Sequence, residues 1–241
     1  MAHSPIEQFK IAEIYPLKVG TVNIAFTNSA MFMVVSVVLV MAFLTLGMRR
    51  RALVPGRWQS MVELSYEFIA SMIKDNVGSE GRRYFPFIFT LFMFVLFGNL
   101  LGMLPYTFTY TSHVIVTFGL AATVFVGVTI IGFVRHGLHF FRFFFPHGAP
   151  ILTAPILIPI EVISYLSRPF SLAVRLFANM TVGHIILKVM AGFVVALGIF
   201  GVVPLAFLSA ITVLEFGIAC LQAYVFTILS CIYLHDAIHM H

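Results

Sequence analysis

Ser164-Tyr-Leu-Ser-Arg-Pro-Phe-Ser-Leu-Ala-Val-Arg-Leu-Phe-Ala-Asn-Met-Thr-Val-Gly-His184 is the stretch that decides how this chain folds. It lies inside a long apolar region, yet it holds two arginines, Arg168 and Arg175, with Glu161 just upstream. An ionisable side chain at bilayer depth costs about 2.5–3.5 kcal/mol on insertion scales. Such a residue faces a partner or a wet cavity, and it marks a functional site by default. The other polar groups of the apolar segments read as a path leading to and from Arg175.

The surroundings of that stretch are those of a polytopic membrane protein. The 241 residues are 61% hydrophobic and 10% charged, and the mean hydropathy is +1.04. That composition excludes an ordinary soluble domain. The net charge of +5 follows the loops between apolar segments, so it speaks for membrane topology and against nucleic-acid binding. Residues 1–23 mix Glu7, Lys10, Glu13 and Lys18 with apolar residues and hold no compact signal-peptide core. The first membrane helix is therefore expected to act as its own insertion signal. Cys220 and Cys231 sit eleven residues apart on one expected helix. They are about 16 Å apart along its axis, beyond disulfide reach, and read as small apolar filler.

Taken outward, the chain reads as one membrane domain over residues 1–241 with an outer N-terminal segment at 1–23. Residues 24–48 carry no Asp, Glu, Lys or Arg and suffice for a first span, since about 20 residues cross the hydrocarbon core. Arg49, Arg50, Arg51 and Arg57 follow, which places this end in the cytoplasm and the N-terminus outside. At 58–76, Trp58, Met61, Val62, Ser65, Ile69, Met72 and Ile73 recur at helical steps. This is an amphipathic helix, lying in the interface or packed on protein. Residues 84–134 are free of formal charge, and Pro105 with the polar run Thr107–His113 divides them into a helical hairpin. Its two spans, 84–104 and 114–134, end at Arg82 and Arg83 and at the cluster Arg135, His136, His139 and Arg142. Nine of the fourteen basic residues then fall on one side.

Pro146, Pro150, Pro155 and Pro159 break residues 143–159, so a regular helix is not expected there. Residues 160–197 and 205–235 form two long helical runs around a turn at Gly198, Gly201 and Pro204. The first would be about 57 Å long, far more than a perpendicular span needs, with Pro169 bending it. The fold class is thus all-α: three transmembrane helices, one interfacial amphipathic helix, and a hairpin of two long, steeply tilted membrane helices over 160–235.

Helical spacing sorts the polar groups. Glu161, Arg168 and Arg175 are seven apart and share one stripe, with Ser164, Ser171 and Asn179 within about 60° of it. The serines have a plainer reading as groups bonded within their own helix, and Arg175 has one as a fixed ion pair with Glu161 or Glu215. His184 lies on the opposite face from Arg175. Glu215 and Gln222 share a stripe on the second helix, and folding the hairpin brings His184 opposite 215–218. His184 and Glu215 then read as a proton relay or as a static pair. Lys188 reads as a snorkelling side chain. His235, His239 and His241 read as a hydrated tail rather than a metal site.

With these residues in place, a resemblance emerges. Arg168–His184, together with Leu221-Gln-Ala-Tyr-Val-Phe-Thr-Ile-Leu229, Gly98-Asn-Leu-Leu-Gly-Met-Leu-Pro105 and Tyr233-Leu-His-Asp236, resembles subunit a of the F-type ATP synthase, in its alphaproteobacterial and mitochondrial form. The resemblance implies a non-catalytic, proton-translocating stator subunit of a rotary motor in a bacterial inner membrane, with no cofactor and the C-terminus in the cytoplasm. It implies a ring of c subunits and b/b' peripheral-stalk subunits as partners. Arg175 matches the family's essential arginine, which faces the c-ring carboxylates. Asn179, His184, Glu215 and Gln222 match the outer half-channel. Glu161, Ser164 and Ser167, beside Arg168, match the inner one. Members often carry Glu where this chain has His184 and His where it has Glu215. Gly102 stands where some members have an acid, which turns attention to Asn99 and His113 at the outer side. A secondary proton-coupled transporter is the alternative, but it wants internally repeated halves, and the chain shows none.

Overall fold

The computed structural model describes residues 10–16, 18–19, 22–23, 25–49, 52–104, 107–137, 140 and 153–239. Among the described residues six α-helices carry the fold: α1 (Asn28–Gly47), α2 (Arg57–Val77), α3 (Phe85–Gly102), α4 (Val114–His136), α5 (Ala154–Ala196) and α6 (Val202–Ile238). All but α2 belong to segments long and apolar enough to cross a membrane. Such a chain is built from helices because backbone amides must be satisfied internally in hydrocarbon.

Two short ribbons precede α1, pairing Glu13–Tyr15 with Phe26–Thr27 and Lys18–Val19 with Val22–Asn23. Neither ribbon is expected from the sequence, where residues 24–27 read as part of the first span. The start of α1 is tied to them. Thr27 caps the helix by accepting from the Ala30 amide at 3.3 Å, and Asn28 accepts from the Ala12 amide at 3.2 Å.

Helix α2 settles its two readings in a mixed way. It packs on α1, α3 and α6, burying Val62, Ile69, Met72, Ile73 and Val77. Its other side leaves Trp58, Met61, Leu64 and Phe68 exposed. Gly78 ends it at φ 86°, a left-handed conformation that costs a side-chain-bearing residue far more than glycine. A 3₁₀ turn, Ser79–Tyr84, leads into α3.

The expectation of a proline-broken segment up to residue 159 is corrected in part. Helix α5 begins at Ala154 and includes both Pro155 and Pro159. Pro155 falls at the first turn, where the missing N–H would have had no helical partner anyway. Pro159 removes one bond only a turn later. Residues 141–152 and Pro105 lie outside the described residues. With 43 residues, α5 is about 65 Å long and α6, with 37 residues, about 55 Å.

The core is the seam between these two helices and α2, α3 and α4. Helix α5 contributes Leu172, Ala173, Leu176 and Met180, and α6 contributes Ala219, Ala223, Phe226 and Leu234, all buried. Lipid tails are as apolar as these side chains, so close packing holds the seam more than water exclusion does. Small residues make that approach possible, and Ala173, Ala219 and Ala223 supply it. Polar ties cross between helices as well: Thr129 Oγ1 meets Tyr165 Oη at 2.7 Å, and Thr181 donates to the Ser112 carbonyl at 3.2 Å.

The link from α3 to α4 is locked by Tyr110, which is fully buried and donates to the Phe94 carbonyl at 3.2 Å. A Cβ on Gly98 would overlap the Tyr110 hydroxyl and ring. Gly98→Ala should destabilise the fold by about 1–3 kcal/mol, the range for overpacking, read as a lower unfolding temperature of the assembled complex. Adding Tyr110→Phe, which removes the nearest overlapping atom, should recover part of the loss. A Gly98→Ala protein as stable as the parent would show that this contact is not tight.

Candidate functional site: the polar seam of the long hairpin

Helices α5 and α6 run antiparallel, and their register sets three polar contacts in a row. His184 Nδ1 lies 2.7 Å from Glu215 Oε1. Asn179 Nδ2 donates to Gln222 Oε1 at 2.8 Å. Arg168 donates to Asp236 Oδ2 at 2.9 Å. Residue numbers rise along one helix as they fall along the other, as a hairpin requires.

The His184 contact has a third and a fourth member. Its Nε2 lies 2.9 Å from the Gly102 carbonyl oxygen and 2.8 Å from Thr109 Oγ1. A carbonyl only accepts, so a protonated Nε2 satisfies it. The Thr109 hydroxyl both donates and accepts. It accepts from Nε2–H when that nitrogen is protonated and donates to it when it is bare. The imidazole therefore keeps a partner at Nε2 in both states, and its Nδ1 edge stays on Glu215. Glu215 is only 2% exposed. Gly183 makes room for it, because a Cβ at 183 would run into the carboxylate.

A polar stripe extends inward from this pair. Glu215, Ala219 and Gln222 lie on one face of α6. Asn99 of α3 donates to the Ala219 carbonyl at 3.2 Å, between the two polar side chains. Three buried atoms along the stripe have no hydrogen-bond partner among the described residues: Glu215 Oε2, Asn99 Oδ1 and Gln222 Nε2. Leaving such an atom unsatisfied costs about 1–3 kcal/mol, so each is a place for a bridging water.

A cavity of about 930 Å³ reaches His184 from the side of the α1 start and the α3–α4 link. Asn28, Phe32, Thr107, Lys188 and Thr212 help to line it. His113 stands at the start of α4, stacked on Phe108 at 5.0 Å, and does not line this cavity. Burial lowers its pKa from the usual imidazole value.

The remaining residues singled out from the sequence lie farther along α5. Arg175 is exposed, and among the described residues it has no hydrogen bond and no ion pair. Phe170 and Val174 beside it on α5 are exposed apolar side chains, and Ser171, one turn away, is an exposed polar one. The fixed pairing of Arg175 with Glu161 or Glu215 is therefore not formed. Arg168 is held by Asp236 and lies over the rings of Tyr165 and Tyr233, at 5.5 and 5.2 Å. Glu161 is half-buried, Ser164 and Ser167 are exposed, and Ser167 Oγ donates back to the Ser164 carbonyl at 2.7 Å, the within-helix bond weighed for these serines.

Comparison with known proteins bears on the whole length. The family described as ATP synthase A chain matches residues 30–235. The chain is 76% identical to the ATP synthase subunit a of Paramagnetospirillum magneticum over 99% of both chains. It is 65% identical to that of Rhodospirillum rubrum, over 99% of this chain and all of the relative. Identity to that of Pelagibacter ubique is 53% over the full length of both. The chain belongs to the ATP synthase subunit a family. It is accordingly a membrane-sector subunit of an F-type ATP synthase, tied to ATP synthesis and proton transport, and the secondary-transporter alternative has no support.

Three members of this polar seam carry no sequence signal strong enough to single them out. Thr109 sits in a polar run that reads as a turn, and nothing local points it at residue 184. Asp236 lies in the terminal motif, past the last apolar run, where a charge reads as solvated. Gly183 reads as one more small residue in a helix. Within subunit a, Gly183→Ala should push Glu215 off His184 and lower ATP-driven proton pumping into inverted vesicles by about tenfold or more, the size of one lost charged hydrogen bond of about 1.5–3 kcal/mol. Unchanged pumping with intact assembly would mean that the His184–Glu215 contact is not needed.

Proposed function

We propose that Arg175 faces the proton-carrying carboxylates of a c-subunit ring and separates two half-channels. The observation that carries this reading is a permanent cation on the apolar outer face of α5 with no counter-ion among the described residues of its own chain. A guanidinium does not give up its proton in proteins. At membrane depth it needs an anion or water, and α6 presents no acid between Glu215 and Asp236. A membrane-embedded carboxylate of a neighbouring rotor is the anion that answers it in this reading.

The polar seam then acts as the outer half-channel. A proton reaches Nε2 of His184 through the cavity beside Lys188 and Thr212, with Thr109 offering a partner to both protonation states. The His184–Glu215 contact passes it inward, and Asn99, Asn179 and Gln222, with bridging water, conduct it to the rotor. Glu161, Ser164 and Ser167 line the exit on the inner side. Arg168 stands beside that exit as a braced residue, since Asp236 already takes its charge. Arg175 favours the ionised form of each arriving carboxylate and repels a proton on a direct path. A charge crossing the potential releases about 2.3 kcal/mol per 100 mV, which turns the ring. The b/b' subunits hold this subunit as stator in a bacterial inner membrane, with the N-terminus outside and the C-terminus in the cytoplasm.

Arg175→Lys should abolish proton-driven ATP synthesis in reconstituted vesicles although the formal charge is kept, because a buried ammonium sheds its proton far more readily. Normal coupled synthesis in that variant would overturn the assignment. The double exchange His184→Glu with Glu215→His should retain more proton pumping than either single change. Equal loss in all three would argue that the two residues do not work as one relay.

A further inference from the structure

Two cavities flank the Ser79–Tyr84 turn at the basic end of α3. One, about 650 Å³, is lined by Glu80, Arg83 and Arg135 among others, and Glu80 and Arg135 form an ion pair with each other. Its charges are thus largely answered. The other, about 850 Å³, lies between α2 and the start of α3. Its charged lining residues are Lys74 and Arg82, both exposed. Among the described residues neither has a hydrogen bond or ion pair, and no acid lines the cavity. Asp75 follows Lys74 on α2 but points about 100° away around the helix.

The rest of the lining is largely apolar, with Tyr66, Ala70, Ile73, Phe85 and Pro86, and Phe89 continues the aromatic run beyond it. Tyr66 packs on Phe85 at 4.5 Å, and Phe85 stacks on Phe89 at 5.4 Å with 17° between the rings. Phe89 is one turn farther along α3, in the direction of its apolar run to Gly102. Two unanswered cations thus sit at one end and an aromatic wall runs from them toward hydrocarbon. Ser79 offers a hydroxyl at the charged end.

We propose that this cavity binds an anionic phospholipid, with the phosphate between Lys74 and Arg82 and one acyl chain along Tyr66, Phe85 and Phe89. Basic pockets at the membrane surface attract anionic headgroups, at about 1 kcal/mol per Lys or Arg. A soluble anion or an acidic peptide would use the two cations but leave the aromatic wall idle. The site stands apart from the polar seam of α5 and α6 and does not depend on how protons move there.

The test uses the assembled ATP synthase reconstituted into phosphatidylcholine vesicles. These carry either a photoactivatable phosphatidylglycerol or a photoactivatable phosphatidylcholine with the same acyl chains. After illumination and digestion, mass spectrometry reads the label on peptides spanning residues 66–89. The phosphatidylglycerol probe should label them in preference. Lys74→Gln and Arg82→Gln should each reduce that label about fivefold, the ratio equivalent to about 1 kcal/mol, while Arg57→Gln at the far end of α2 leaves it unchanged. Added inorganic phosphate should not displace it. Equal labelling by both probes, displacement by inorganic phosphate, or a crosslink to another subunit seated in the cavity would each overturn the proposal. If the substituted complexes fail to assemble, the comparison of the two probes on the unaltered protein decides alone.

Discussion

The cost of holding an ionisable group among apolar helices governs this protein. The long hairpin meets that cost in two ways. Glu215 is buried and closed off by His184, which is in turn held by Gly102 and Thr109. Arg175 is turned outward, with no hydrogen bond or ion pair among the described residues. The first arrangement demands that backbones approach closely, and the seam is accordingly lined with Ala173, Gly183, Ala219 and Ala223. A larger residue at 183 would collide with the carboxylate, so the packing and the polar chemistry of the seam are one requirement.

Register explains why two arginines seven residues apart have opposite fates. Arg168 and Arg175 share a stripe of α5, so helical phase does not separate them. What separates them is the partner strip on α6, whose only acids are Glu215 and Asp236. Asp236 falls opposite Arg168, and Glu215 falls opposite His184. The segment between them buries Phe226, Thr227 and Ser230, and Thr227 and Ser230 already bond to their own helix. Arg168 is therefore braced, by a carboxylate and two tyrosine rings, while Arg175 remains available.

Much of this can be read in the sequence because charges are scarce in it. A chain that is 61% hydrophobic makes each Arg, Glu or His conspicuous, and a spacing of seven places residues on a face without any tertiary knowledge. The approach of His184 to Glu215 needs only the turn at Gly198. What escapes is of two kinds. Thr109 meets His184 across 75 residues, and its neighbours in a polar turn disclose nothing about that contact. The start of α5 is misplaced when proline is weighed only as a breaker, whereas proline in a first turn forfeits no bond that the helix had. The ribbons before α1 are short enough that no alternation betrays them.

Gly102, at a position where the family resemblance leads one to expect an acid in some members, looks at first like a missing piece of the outer half-channel proposed above. The geometry suggests otherwise. The Gly102 backbone carbonyl lies directly on His184 Nε2, a contact that the absence of a side chain permits, because a Cβ there would run into Thr109. A carbonyl cannot change its charge, but it fixes where the imidazole proton sits, and Thr109 supplies the alternative partner when that proton leaves. A titrating carboxylate at this position would add a second site competing for the same proton. With glycine, the site holds one imidazole and one carboxylate in contact, and the Thr109 hydroxyl offers Nε2 a partner whether or not that nitrogen carries a proton.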